Sequence, residues 1–254
     1  MINPRSSNIK GRKHKMPEID LSNPYIRNYI RGFCDAHRRH LDDVRGRLAG
    51  WVADARYNEE RGAAAELRRP RPLAAVLDID EVILSNIHMN SYSAPAGVQG
   101  PDPVDFHAAD YFLAPNGKPW PRDDLRLNPL LPGARELLEE LRTLDVAVYM
   151  ISGRLESIRE ETVENFVFVG LAAPGGEGAV FCLEDLASPD VRLIMCPDAE
   201  YPPPGQSVRP YKESRRRAIE ATHRIVVNVG DQASDLGLYG DVQIHCPQPF
   251  YWIG

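Results

Sequence analysis

The chain has 254 residues, 43% of them hydrophobic and 26% charged, which is enough to bury one substantial core with at most a small addition. Its formal net charge of −6 argues against non-specific binding to nucleic acid, because affinity for a phosphate backbone requires an excess of Lys and Arg. No run approaches the ~18 apolar residues that a membrane span requires, so we expect no membrane partner. The four cysteines lie far apart without a Cys-x-x-Cys pair, which indicates neither a zinc site nor a disulfide framework. A single disulfide bridge is compatible with the sequence.

The first 20 residues form a basic segment that lacks the apolar stretch of a secretory signal. Short charged ends that contain Gly and Ser are typically disordered, so we predict a flexible tail over residues 1–20. Because no export signal is present, we expect the protein to be cytoplasmic.

A helical pattern follows, and we predict an N-terminal helical extension over residues 21–71. Apolar residues recur at steps of three and four through residues 26–51, which is typical of an amphipathic helix. His37 and His40 fall near the apolar stripe, where histidines without further ligands usually pack against the core. The two prolines of residues 68–72 then interrupt the backbone hydrogen bonds of the helix and favour an extended backbone that leads into a strand.

Two carboxylates follow the first predicted strand. The apolar run of residues 73–77 is typical of a central strand in a parallel sheet, and Asp78 and Asp80 stand where this strand leaves the sheet. In open α/β folds, ligands bind at that end of the strands. Because desolvated like charges repel one another, we expect a cation between the two side chains. Taken alone, an Asp-x-Asp tripeptide is also typical of an exposed turn.

Residues 88–132 are rich in Pro, Gly, Asp and aromatic residues and show little periodicity. An irregular segment of this length inside a compact domain is usually functional, so we expect it to cover the strand ends. Residues 196–210 are predicted to form a second wall. The candidate ligand-facing side chains of the first segment, each also typical of ordinary loop packing, are His88, Asn90, Tyr92, His107, Tyr111, Trp120 and Arg122.

A second predicted strand ends in Ser152 and Gly153 and leads into a helical stretch over about residues 156–168. A hydroxyl beside free backbone amides at the start of a helix is well suited to bind an anion. Arg154 follows directly and is a candidate for an additional contact, although an arginine in this position is more often structural.

Two further segments contribute charged side chains. Lys212 lies in the first turn of a predicted helix, against the usual preference for acids there, so we expect an anionic partner nearby. A predicted strand over residues 225–230 is followed by Asp231 and Asp235, whose spacing allows both to lie on one helical face. Taken singly, each of these segments is also typical of a routine turn or cap.

Taken together and in this order, the segments resemble the four motifs of the haloacid dehalogenase (HAD) superfamily: Asp-x-Asp, a Ser or Thr, a Lys, and Gly-Asp with a further acid. The sequence is most similar to the acid phosphatase branch, subfamily IIIB, which includes plant vegetative storage proteins and bacterial lipoprotein acid phosphatases. Ala233 departs from the pattern, since many relatives have an aromatic residue there. The matching segments are residues 78–86, 211–215, 230–236 and 247–252.

The resemblance implies an α/β fold: a Rossmann-like core over residues 72–254, with a central parallel sheet flanked by helices and a small irregular cap insertion at about residues 88–132. It also implies a phosphomonoester hydrolase that uses Mg2+ and acts through a phospho-aspartyl intermediate. The substrate would be a small intracellular phosphorylated metabolite, such as a nucleotide, a sugar phosphate or a biosynthetic intermediate. The oligomeric state stays open, and a homodimer is compatible with the sequence.

Residue by residue, the resemblance implies that Asp78 is the nucleophile and Asp80 the general acid and base. The metal would be held by Asp78, the backbone oxygen of Asp80, Asp231 and, directly or through a water, Asp235. The phosphate would be held by Ser152, Gly153 and Lys212. Arg154 and the side chains of the cap insertion would contribute to substrate specificity.

Two alternatives stay open. A phosphotransferase that passes the phosphoryl group to an acceptor alcohol would use the same residues, and a non-catalytic storage or binding protein would keep the same fold. Dehalogenase relatives typically lack an acid at the position of Asp80, which favours phosphatase chemistry over carbon–halogen cleavage. Phosphonate cleavage would require a Schiff-base lysine in the cap. The predicted cap offers only Lys118, which lies in an Asn-Gly-Lys-Pro turn, so the sequence disfavours this reaction.

Overall fold

A computed structural model describes residues 24–85, 128–188, 192–203 and 206–247, with the backbone alone over residues 24–30. The predicted tail at residues 1–20 and the last matching segment from residue 248 onward lie outside the described residues. The same is true of the candidate side chains of the cap insertion, which are His88, Asn90, Tyr92, His107, Tyr111, Lys118, Trp120 and Arg122.

A parallel sheet forms the centre of the protein. Within the described residues, the strands are β1 (Leu73–Leu77), β2 (Ala147–Leu155), β3 (Ala172–Ala173), β4 (Phe181–Cys182), β5 (Leu193–Cys196), β6 (Arg224–Gly230) and β7 (Val242–His245). Five of them form one sheet in the order β5-β2-β1-β6-β7, and all neighbours in it are parallel. β3 and β4 form a separate short pair. All five residues of β1 are buried and apolar, which confirms the predicted central strand.

Helices connect most of the parallel strands of the sheet, as crossover connections usually do, whereas β6 and β7 are joined by a loop without a helix. In the part of the chain that the structure describes, the α-helices are α1 (Pro24–Ala65), α2 (Ala134–Thr143), α3 (Arg159–Phe168), α4 (Leu183–Ala187) and α5 (Arg209–Thr222). α2 precedes β2, α3 and α4 lie between β2 and β5, and α5 precedes β6.

Helices cover both faces of the sheet. Ala75 of β1 lies in a buried cluster with Leu48 of α1 and Leu138 of α2. Its neighbour Ala74 lies in another cluster, with Ile219 of α5. Since successive side chains of a strand point to opposite faces, α5 lies on the other side of the sheet from α1 and α2. The predicted α/β class, with a central parallel sheet flanked by helices, is confirmed.

The long helix α1 shares the larger core. Leu41 on its apolar face is fully buried in the cluster that contains the sheet residues. Gly133, before α2, has a φ of 90°, and a Cβ there would lie 3.1 Å from the Cβ of Leu41, so glycine permits the two helices to approach closely. His37 is fully buried, and its Nδ1 donates to the carbonyl oxygen of Pro132 at 3.1 Å. Burial lowers the pKa of His37 to about 4, so this histidine packs as a neutral ring, as predicted.

The four cysteines are all free thiols. None of the helices in the described ranges is long and apolar enough to span a membrane. The division of the chain at residue 71 stays a prediction. Within the described residues, α1 packs on the same core as the sheet.

Candidate active site

Three buried carboxylates meet at the carboxyl ends of β1 and β6. Asp78 follows β1 directly, Asp231 follows β6 directly, and Asp235 lies four residues further. β1 and β6 are neighbours, and the backbone N–H of Asp78 donates to the carbonyl oxygen of Val229 at 2.9 Å. One oxygen of each of the three carboxylates lies within 4.8 Å of the others. The adjacent strands therefore place the carboxylates around one point.

A turn, rather than a helix, brings Asp235 back to the cluster. The prediction that Asp231 and Asp235 share a helical face is wrong, because the described residues between β6 and β7 contain no helix. The backbone N–H of Gln232 donates to Oδ2 of Asp235 at 2.9 Å, and the N–H of Asp235 donates to the carbonyl of Gln232 at 3.0 Å. Such side-chain to backbone bonds compete with helix formation. Gly230 makes room for this turn, since a Cβ there would lie 2.0 Å from the Cβ of Asp235.

Lys212 supplies positive charge inside the cluster. It lies in the first turn of α5, is 3% exposed, and its Nζ lies 3.0 Å from Oδ1 of Asp78. It also forms an ion pair with Oδ1 of Asp235. Burial lowers the pKa of the Lys212 ammonium. The negative charges of Asp235 and Asp78 raise this pKa by more than burial lowers it, so the net change is an increase. The anionic partner predicted for this lysine is therefore present within the protein itself.

The carboxylates carry more negative charge than one lysine neutralises. Burial raises the pKa of Asp78 to about 7, and the charge of Asp235 adds to the increase while Lys212 opposes it. Burial, followed by the charges of Asp78 and Asp235, also raises the pKa of Asp231 well above its ordinary value. A further cation among these carboxylates would therefore stabilise their ionised forms.

The donor atoms suit a hard divalent cation. All three side chains offer carboxylate oxygens, which Mg2+ and Ca2+ prefer. Oδ2 of Asp231 accepts a hydrogen bond from Nε2 of Gln232 at 3.0 Å, whereas Oδ1 of Asp231 is buried and has no hydrogen-bond partner among the residues that the structure describes. A buried oxygen that lacks a donor is the kind of atom that a metal ion would satisfy. The residues Asp78, Asp231 and Asp235 therefore fit a divalent metal.

Asp80 lies two residues beyond Asp78, and its side chain is 17% exposed. Its partner is Arg154, whose Nη2 donates to Oδ1 of Asp80 at 2.6 Å and whose Nε lies 3.1 Å from Oδ1 and 3.2 Å from Oδ2. The guanidinium that we predicted as an additional substrate contact thus binds a carboxylate of the site. A direct role of Arg154 in specificity stays a prediction.

Ser152 and Gly153 lie in a strand and not at a helix start. β2 continues to Leu155, with a register shift after Ser152, and a short 3-10 turn over Glu156–Ile158 precedes α3. The predicted helical stretch is present, but the prediction that its N-terminus lies beside Ser152 is wrong. The hydroxyl of Ser152 is buried and accepts the backbone N–H of Arg154 at 3.1 Å. Strand β2 is adjacent and parallel to β1, so Ser152 still lies at the carboxyl end of the sheet, where Asp78 follows β1.

The structure shows contacts for two residues to which the sequence analysis gave no role, Glu81 within the matching segment 78–86 and His245. Glu81 is fully buried with a φ of 56°, and Oγ of Ser85 donates to its Oε2 at 3.0 Å. Nε2 of His245 donates to the carbonyl oxygen of Asp231 at 2.8 Å and supports that backbone. A charged residue inside the apolar run that follows Asp80 was the available signal for Glu81. Nothing local in the sequence marks His245, because its partner lies on another strand end.

We expect the replacement of Lys212 with Met to lower the free energy of unfolding of the metal-free protein by about 3 kcal/mol near pH 8, because it leaves buried carboxylates without their cation. The pKa of Asp78 is raised in the folded protein, so its ionisation destabilises the fold as the pH rises through about 7. Without Lys212 this pKa rises further, and the loss should shrink near pH 5, where the carboxyl group is protonated in both proteins.

Urea unfolding at both pH values in the presence of a chelator measures this difference. The matched control is Arg217→Met, an exposed position on the same helix, where we expect a change within about 0.5 kcal/mol. A loss of equal size at both pH values would contradict the electrostatic account.

Comparisons with known proteins agree with this geometry. A family model described as HAD superfamily, subfamily IIIB (acid phosphatase), matches residues 49–253. The chain is 28% identical over 181 residues to acid phosphatase 1 of Solanum lycopersicum, an alignment that covers 70% of this chain and 58% of that protein. The chain thus spans less than two thirds of that relative's length.

A similar solved structure is the class C acid phosphatase from Bacillus anthracis, with a TM-score of 0.51 and 20% identity. That similarity covers 90% of this chain and 84% of the other, and at this identity it shows the fold alone. The family model, in contrast, spans most of the chain and includes the segments that supply Asp78, Ser152, Lys212 and Asp231. The chain therefore belongs to the HAD superfamily, subfamily IIIB (acid phosphatase), as the order of its motifs predicted.

Proposed function

We propose that the protein is a magnesium-dependent phosphomonoester hydrolase that acts on a small phosphorylated metabolite. One observation carries the proposal: the buried carboxylates of Asp78, Asp231 and Asp235 surround one point beside Lys212. Asp80 provides a further, partly exposed carboxylate two residues beyond Asp78. Membership of the acid phosphatase subfamily supports the same activity, as do the names of the relatives.

The proposed reaction has two displacements. A carboxylate oxygen of Asp78 attacks the phosphorus atom, the bond from phosphorus to the ester oxygen breaks, and Asp80 gives its proton to the departing oxygen. The aspartyl phosphate is then attacked by water, whose proton Asp80 accepts, and inorganic phosphate leaves. Both groups return to their starting states, so hydrolysis consumes only water.

A divalent cation held by Asp78, Asp231 and Asp235, with the backbone oxygen of Asp80, would neutralise the charge between the attacking carboxylate and the phosphate. Mg2+ is the ion we propose, because it binds through few carboxylates and keeps several waters. Lys212, whose ammonium already lies beside Asp78, would bind a non-bridging phosphate oxygen, and the hydroxyl of Ser152 with the amide of Gly153 would bind others.

The substrate class follows from what these groups contact. They bind the phosphoryl group, which all phosphate esters share, so selection between esters must depend on residues that touch the alcohol. The cap insertion at residues 88–132 and the wall at residues 196–210 stay our predicted sources of that selection. A cytoplasmic location stays a prediction of the sequence.

Product analysis tests the proposal and separates hydrolysis from phosphotransfer. The 254-residue chain with Mg2+ is given p-nitrophenyl phosphate and a panel of cellular phosphate esters, with and without excess glycerol. We expect released alcohol and inorganic phosphate in equal amounts under both conditions. Glycerol phosphate formed in place of inorganic phosphate would indicate a phosphotransferase, and no turnover of any ester would overturn the proposal.

A further inference from the structure

The contact between Arg154 and Asp80 is asymmetric. Among the described residues, Oδ1 of Asp80 accepts two donors, Nη2 at 2.6 Å and Nε at 3.1 Å, whereas Oδ2 accepts Nε alone, at 3.2 Å. The side chain of Arg154 is 5% exposed and that of Asp80 is 17% exposed. The guanidinium is thus the more buried partner, and Oδ2, which accepts fewer hydrogen bonds from Arg154, is the oxygen with more capacity to exchange a proton.

Arg154 is itself fixed from the next helix. Its Nη1 donates to Oγ1 of Thr162 on α3 at 3.2 Å, and that hydroxyl donates its own proton to the carbonyl of Ile158 at 3.0 Å. Because the hydroxyl proton of Thr162 is donated to Ile158, Oγ1 of Thr162 acts toward the guanidinium of Arg154 as an acceptor. Thr162 is fully buried, so water does not compete for this contact. A continuous set of hydrogen bonds therefore runs from α3 through Arg154 to Asp80.

We infer that Arg154 is a positioning residue that orients Asp80 for proton transfer, with Oδ2 as the oxygen that gives a proton to the leaving alcohol and later accepts one from water. The inference rests on the proposed function and extends it to residues outside the phosphate-binding set. A planar guanidinium holds a carboxylate by several fixed N–H groups, whereas an ammonium at the same place would hold it as a point charge.

The test compares two leaving groups in Arg154→Lys. Departure of an alkyl alcohol requires a proton, whereas p-nitrophenolate departs without one. We expect kcat/KM for an alkyl phosphate to fall by roughly 10-fold or more, part of the ~10²–10⁴-fold that general acid catalysis supplies, and kcat/KM for p-nitrophenyl phosphate to stay within about 3-fold. For the aryl ester, kcat and KM should fall together, with a burst of p-nitrophenol, because activation of water in the second step is also impaired.

The variants at Thr162 test the support of Arg154. Thr162→Val keeps the shape but removes the acceptor, and we expect a smaller loss with the same dependence on the leaving group. Thr162→Ser restores a hydroxyl and should restore most of the alkyl phosphate activity. Arg159→Lys is the matched control, because that buried arginine binds Glu156 and the carbonyls of Leu186 and Leu193 rather than Asp80. It should not separate the two leaving groups.

Different outcomes identify which idea fails. If Arg154→Lys raises KM and lowers kcat/KM equally for both esters, Arg154 binds the phosphate and the positioning role is wrong. If the wild-type protein hydrolyses no ester, the proposed function fails. Circular dichroism and the unfolding midpoint of each variant show whether a uniform loss reflects misfolding, and a folded variant with unchanged leaving-group dependence also overturns the inference.

Discussion

Asp78→Asn is expected to reduce turnover of p-nitrophenyl phosphate by about 10⁴-fold or more, because loss of a nucleophile removes the whole covalent route. The amide has nearly the same shape and lowers the number of buried negative charges, so we expect the fold to persist without loss of stability. Thermal unfolding in the presence of a chelator checks this second expectation.

Acid quenching during turnover locates the phosphoryl group. With a radiolabelled ester, the wild-type protein should carry a label that hydroxylamine releases, as expected for an acyl phosphate, and Asp78→Asn should carry none. Asp80→Asn is the matched control, since it keeps the nucleophile and should still accept a label from an aryl ester. Substantial turnover in folded Asp78→Asn would exclude our nucleophile, while an inactive wild-type protein would favour the storage or binding alternative.

Removal of divalent metal is expected to lower turnover by about 10³-fold, because charge stabilisation by a metal supplies several kcal/mol, and each ~1.4 kcal/mol corresponds to a factor of ten. Asp78, Asp231 and Asp235 present oxygen donors only, so Mg2+ should restore activity after chelation. Full activity in metal-free protein would refute the proposed site.

Stability provides a readout of the metal that does not depend on activity. An ion that binds only the folded state raises the unfolding temperature with its concentration. We expect Mg2+ to raise that temperature for the wild-type protein and much less for Asp231→Asn, which removes one charged ligand. Gln232→Ala is a useful control, because it removes the hydrogen bond to Oδ2 of Asp231 but no carboxylate. An equal response of wild-type protein and Asp231→Asn would place the ion elsewhere.

Several features could be predicted from local sequence alone. The buried strand β1 was evident from an apolar run, because a strand covered on both faces requires continuous apolar residues. The acids after β1 and β6 could be assigned to the functional end of the sheet for a similar reason, since the chain direction in a parallel sheet determines which end they reach. Lys212 was marked by its unfavourable place in a first helical turn.

Local spacing was misleading where tertiary contacts compete with it. Asp231 and Asp235 have helical spacing, yet the carboxylate of Asp235 binds the backbone of Gln232, and the chain turns. Ser152 precedes a helical pattern, yet pairing with β5 carries the strand on to Leu155. In both places a hydrogen bond to a specific partner replaced the structure that periodicity favoured.

The sequence by itself thus determined the α/β class, the order of the motifs and the identity of the charged residues, because these depend on local apolar patterns and side-chain chemistry. Only the tertiary structure decided which charges meet: β1 lies beside β6, Lys212 reaches Asp78 and Asp235, and Arg154 reaches Asp80 across 74 residues. Strand order and side-chain pairing depend on the packing of the whole core, and the free energy of a buried charge depends on the neighbours that this packing supplies.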